Sequence, residues 1–194
     1  MLTDIIKQFN WIDILVIIIL FRISYISVKT GVPVEFFKLL GMLATIYLSL
    51  HYYTTLADWV VQRTPLAKEK APLEFLDFVS FLFLAIVGYF IFISLRIVFS
   101  RFIRMEAAPN LNRFAGLALG IARGFLLAGL IIFMLVISSS SYLRNSVINS
   151  YLGKRMFKVA PNTYSWLWNK VASKFASGEK LNQTLLEVQK GLNL

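Results

Sequence analysis

The 194-residue chain contains no cysteine and only one histidine, His51. Disulfides, thiolate chemistry and cysteine-based metal sites are excluded, and a lone imidazole with no acid beside it in sequence cannot build a metal centre. Charge is also scarce. Only 15% of residues are Asp, Glu, Lys or Arg, against about a quarter in an ordinary soluble domain. Acids are the scarcer sign, ten against twenty bases, which leaves a net charge of +10. What remains is apolar: 58% of residues are hydrophobic and the mean hydropathy is +0.69. They arrive in blocks rather than one face at a time. Such blocks exclude a disordered chain and a water-soluble globule.

A helix needs about 20 mostly apolar residues to cross the hydrocarbon core. Four stretches reach that length, at about residues 11–28, 34–57, 75–99 and 114–137. Lipid offers no partner to an open backbone, so each must be a helix. The expected fold class is therefore all-α: an integral membrane four-helix bundle over residues 1–141 with a C-terminal amphipathic helical tail over 142–194. The first segment lacks a small-x-small exit, so it is expected to stay as a span rather than be cleaved. Lys29-Thr30-Gly31-Val32-Pro33 should turn the first hairpin, with Pro33 at the next helix start. Residues 58–74 should form a mixed-charge loop, and 101–113 a helix extension followed by a turn. The serines at 138–141 should make a flexible exit. In the tail, Pro161 should separate two helices. The basic and aromatic mixture from Leu152 to Phe175 suits a helix lying on a membrane surface or docked on a partner.

Four spans place both termini on one side, and near-membrane Lys and Arg choose which. The two tight turns carry Arg22, Lys29, Lys38, Arg96, Arg101, Arg104, Arg113 and Arg123. The opposite face offers Lys7, Arg63, Lys68 and Lys70 before the tail. This count puts the turns in the cytoplasm and both termini outside, although the basic tail argues the other way. The positive balance then reports topology and contact with the lipid bilayer; no nucleic acid partner is expected.

The sharpest motif is LNRFAGLALGIARG at 111–124. Gly116, Gly120 and Gly124 recur every fourth residue, and Ala128 continues the row along one helix face. A face without side chains lets another helix approach closely. That helix is either in the same bundle or in a second copy, giving a homo-oligomer. Among charged residues, Arg22 lies well inside the first span. Its candidate partner is Glu35 across the first hairpin, forming an intramembrane polar pair; the alternative is snorkelling to the headgroups. Asp13, Asp77 and Arg96 sit nearer span ends, where structural roles suffice. His51-Tyr52-Tyr53 and the tryptophans suit an interfacial aromatic belt. No nucleophile elbow, metalloprotease motif, phosphate loop or carboxylate pair at helical spacing is present, so neither enzyme activity nor a cofactor or metal is expected.

Together these residues resemble the colicin V production protein family of bacterial inner-membrane proteins. The likeness rests on Asn10-Trp11-Ile12-Asp13, on Gly31, Glu35 and Gly41 in KTGVPVEFFKLLG, and above all on LNRFAGLALGIARG with Asn112, Arg113 and Arg123. It extends over about residues 9–165; Arg22 departs from the pattern. The resemblance implies a part in toxin production or export, or in envelope homeostasis and stress resistance. Some relatives carry a periplasmic protease after the spans, which implies an external C-terminus. The expected function is a non-enzymatic scaffold with a protein partner in the cell envelope. The competing expectation is a small transporter or channel subunit with Arg22, Glu35 and Arg123 along a polar path.

Overall fold

A computed structural model describes residues 9–64, 72–102, 109–176 and 178–191. Four long helices, α1 (Trp11–Thr30), α2 (Val32–Arg63), α3 (Leu73–Phe102) and α4 (Pro109–Ile137), carry the four apolar stretches. The chain is a multi-pass membrane protein. Asn10 starts α1 with a capping box: Ile12 N–H donates to Asn10 Oδ1 at 2.9 Å, and Asn10 N–H donates to Asp13 Oδ2 at 2.8 Å. Pro33 falls in the first turn of α2, as its missing N–H favours. Helix α2 then runs on to Arg63, so residues 58–63, expected in a loop, are helical. Leu73 and Glu74, also expected in that loop, already begin α3; residues 65–71 and Arg104 fall outside the described residues.

Neighbours in sequence are not neighbours in space. Helix α1 packs on α4, α4 on α2 and α2 on α3, whereas α1 and α2 barely touch. Half of the apolar window of α4 is buried, against 17% of that of α3. The glycine-rich span is thus the central one, and α1 and α3 stand on the outside. Large apolar side chains such as Phe21 on α1 and Phe83 and Phe90 on α3 point outward, as a lipid solvent requires.

The tail continues as α5 (Ser141–Ile148), α6 (Tyr151–Phe157), α7 (Val159–Lys170), a 3-10 turn at Ala172–Lys174 and α8 (Gln183–Gly191). Ser140 and Ser150 cap α5 and α6, accepting from Leu143 N–H and Gly153 N–H. Pro161 does not separate helices. It lies in the first turn of α7, where a missing N–H costs no intrahelical bond; the breaks fall at Ser150 and Lys158 instead. Part of the apolar face of the tail is occupied by the protein's own spans, while Trp166, Val171 and Phe175 remain exposed on it. Phe157 stacks on Phe133 of α4 with centroids 5.8 Å apart. A Cβ at Gly129 of α4 would stand 2.8 Å from Val159 Cβ and 3.1 Å from the Ala160 nitrogen, so α7 approaches α4 at backbone contact. Phe133 also meets Phe81 of α3 and Tyr53 of α2, which gathers α2, α3, α4 and α6 into one aromatic core.

Candidate functional site

Gly31 is the single residue between α1 and α2, and its φ of +77° is one that residues with a Cβ rarely adopt. The same position is closed from outside by Asn112, whose amide would stand 2.6 Å from an added Cβ. Asn112 Oδ1 accepts from Val32 N–H at 2.6 Å, an orphan donor of the first turn of α2. One turn along α4, Gly116 lies against the Gly31 backbone, with 3.1 Å between an added Cβ and Gly31 Cα. Another turn on, Gly120 touches the Ser27 side chain, and Gly124 packs on Leu20 and Ile23. The glycine row therefore faces α1 of the same chain. One face of the LNRFAGLALGIARG motif is a cradle for the α1–α2 turn.

Arg123 ends that face, and its target is Glu35. The Glu35 side chain has no solvent exposure. Arg123 donates to Glu35 Oε2 through Nε at 3.0 Å and Nη2 at 2.9 Å. Lys38 Nζ and Thr30 Oγ1 each donate to Oε1 at 2.6 Å. A buried carboxylate is tolerable when its lone pairs are filled and its charge is matched, and here both conditions hold. The expected Arg22–Glu35 pair is not formed. Arg22 is exposed on α1, and Glu35 is filled by Thr30, Lys38 and Arg123, which lie at its own turn and on the neighbouring face of α4. The sequence offered Lys38 three residues from Glu35 as a helical neighbour; the polar-path expectation grouped Arg123 with Glu35, but no spacing paired the two. Arg113, the remaining motif residue, is exposed beside Lys29 in a shallow recess at the turn.

The other end of the bundle holds a second constellation. Asp13, fully buried, accepts at Oδ1 from Ser150 Oγ at 2.8 Å and from Leu152 N–H at 2.6 Å. Asn10 Nδ2 donates to the Ser146 carbonyl at 2.8 Å. The start of α1 is thereby tied to α5 and α6. His51 is buried between the rings of Tyr47 and Trp168, with both centroids 5.1 Å away. Its Nδ1 meets Tyr164 Oη at 2.7 Å and its Nε2 meets Glu179 Oε2 at 2.9 Å. Asn182 N–H donates to Tyr164 Oη at 3.1 Å, and Asn182 Nδ2 donates to the Leu50 carbonyl at 2.9 Å. Burial pushes the Tyr164 hydroxyl up to about 12, so it remains a donor at neutral pH. With a neutral imidazole, Tyr164 donates to Nδ1 and Nε2–H donates to Glu179. His51 is thus a clasp between α2 and the tail. Among the tryptophans, Trp168 is enclosed, whereas Trp11, Trp59 and Trp166 remain exposed. Tyr164, Glu179 and Asn182 lie more than 110 positions from the α2 residues they hold, and no local sequence signal could reveal them.

Chemically, these groups neutralise and fasten one another. Among the described residues no three His, Asp or Glu side chains converge as metal ligands. A family model described as colicin V production protein matches residues 12–161, which is most of the chain. No curated protein and no solved structure matches it.

Proposed function

Because the chain belongs to the colicin V production protein family, we propose that it is a non-enzymatic scaffold of the bacterial inner membrane that assists toxin production or secretion, or envelope homeostasis. The observation that carries this is the clasped tail. Asp13, His51 and Asn182 bind the segment after the spans to the bundle, yet Trp166, Val171 and Phe175 stay exposed on it. A tail held rigidly with large apolar side chains outward suits a platform for an envelope protein. The excess of Lys and Arg at the tight turns supports N- and C-termini in the periplasm. Glu35, which a transporter would place on a solute path, is closed off by Arg123, Lys38 and Thr30, and this favours a scaffold over a pore.

The test joins topology to activity. A lone cysteine at Lys190 should react with an impermeant maleimide on intact cells. In a strain lacking the gene, a Trp166→Ser/Phe175→Ser variant should reach the membrane at normal level but fail to restore envelope integrity. Labelling only after lysis would reverse the orientation, and full rescue by the tail variant would remove the platform role.

A further inference from the structure

On the flank of the bundle near the α1–α2 turn, all four spans line one cavity of about 580 Å³. Each contributes one cation: Arg22 from α1, Lys38 from α2, Arg96 from α3 and Arg123 from α4. The rest of the lining is mainly aliphatic and aromatic, Ile26 and Ile93 among it. The four basic groups lie at one level. Arg123 adjoins Gly124, which packs on Leu20 and Ile23 beside Arg22. Gly41 packs on Phe92, and Lys38 and Arg96 each lie one helical turn from that contact toward the same end. At 1.5 Å rise per residue this level is about 12 Å along α1 from Thr30, inside the apolar span rather than beyond it.

The charge at this level is unbalanced. Glu35 takes one bond from Lys38 and both of its Arg123 contacts on Oε2, so four cations against one carboxylate leave three positive charges. Among the described residues no carboxylate lies within ion-pair distance of Arg22 or Arg96. Arginine held in an apolar span without a counter-ion is costly. A cavity walled by hydrocarbon side chains and rimmed by guanidinium groups fits a molecule with the opposite pattern, an anionic phosphate joined to acyl chains.

We propose that this cavity is a binding site for an anionic phospholipid. Its phosphate is bridged by Arg22 and Arg96, with the free Nη1 of Arg123 and the remaining protons of Lys38 behind them. The acyl chains lie along Ile19 and Ile93, each about one turn deeper in its span than the arginine beside it, between α1 and α3. Arginine offers paired donors for phosphate oxygens, and basic pockets between spans are where such headgroups are held. The lipid then supplies the counter-charge that is absent among the described residues, and it bridges the two outer helices, which have little direct contact.

The full chain has no cysteine, so Ile93→Cys can carry the only thiol-linked fluorophore. Reconstituted into phosphatidylethanolamine bilayers, it is titrated with doxyl-labelled phosphatidylglycerol or doxyl-labelled phosphatidylcholine. The anionic lipid should quench at a mole fraction about thirtyfold lower, and Arg22→Gln/Arg96→Gln should abolish that preference. Neither residue is bonded to Glu35, so unchanged near-ultraviolet circular dichroism should accompany the loss; the two single variants should each lose part of it. Equal quenching by both lipids in the unsubstituted groove would overturn the site and leave the arginines snorkelling. An undiminished preference in the double variant would overturn their role. Relief of quenching by millimolar glycerol 3-phosphate would identify a site for a soluble anion instead of a lipid.

Discussion

Glu35 and Asp13 are both carboxylates with no solvent exposure, one near each end of the bundle, and they are neutralised in opposite ways. Glu35 is met by cations, Lys38 and Arg123, with Thr30 filling a remaining lone pair. Asp13 is met by neutral donors, the Asn10 and Leu152 amides and the Ser150 hydroxyl, within the favourable field of the first turn of α1. The difference follows what each joins. Glu35, also in a first turn, joins the start of α2 to α4, where the charges of Lys38 and Arg123 compensate its burial. Asp13 joins a span to a tail whose capped helix start offers free N–H groups. One end is a charge lock and the other a capping lock.

The contrast is most severely tested by Glu35→Ala. It strands Arg123 and Lys38 and should cost about 3–5 kcal/mol, read as a lowered unfolding midpoint in detergent. Asp13→Ala should cost less, about 2–3 kcal/mol, from donors left unsatisfied. Its signature should be early proteolysis of the tail while the spans stay helical. A larger loss at Asp13 than at Glu35 would erase the distinction between the locks.

Gly120→Leu sharpens the account of the charge lock. Any Cβ there meets Ser27, so α1 is forced off α4 and stability falls by about 1–3 kcal/mol with no change in oligomeric mass. A changed mass at constant midpoint would mean that the glycine face belongs to a contact between copies. At the tail, His51→Phe keeps the stacked ring but loses both hydrogen bonds. Because Glu179 is 41% exposed, that bond is weakened by water, and a loss of about 1 kcal/mol in thermal or chemical unfolding is expected. Trp166→Ala should shift the midpoint by less than about 0.5 kcal/mol; a larger shift would mean that Trp166 belongs to the clasp rather than to the outer surface.

Much of the fold was legible because lipid imposes a one-dimensional constraint. Four apolar runs of span length had to be helices, and LNRFAGLALGIARG had to be a close-packing face. The site was legible in its parts: Glu35, Arg123, Asn112 and the glycines were all singled out. Their pairing was not. Arg22 faced Glu35 plausibly across a hairpin, but α1 and α2 separate after their turn, and α4 inserts against both.

The sequence by itself determined the membrane solvent, the number of spans, the helical class and the positions where a side chain would obstruct packing. Each of these depends on composition or on spacing within one helix. The tertiary structure decided which helix the glycine row faces, that Arg123 rather than Arg22 neutralises Glu35, and that the tail is clasped through His51, Tyr164 and Asn182. Those outcomes depend on the order in which helices pack, α1–α4–α2–α3, and spacing within a helix carries no information about that order.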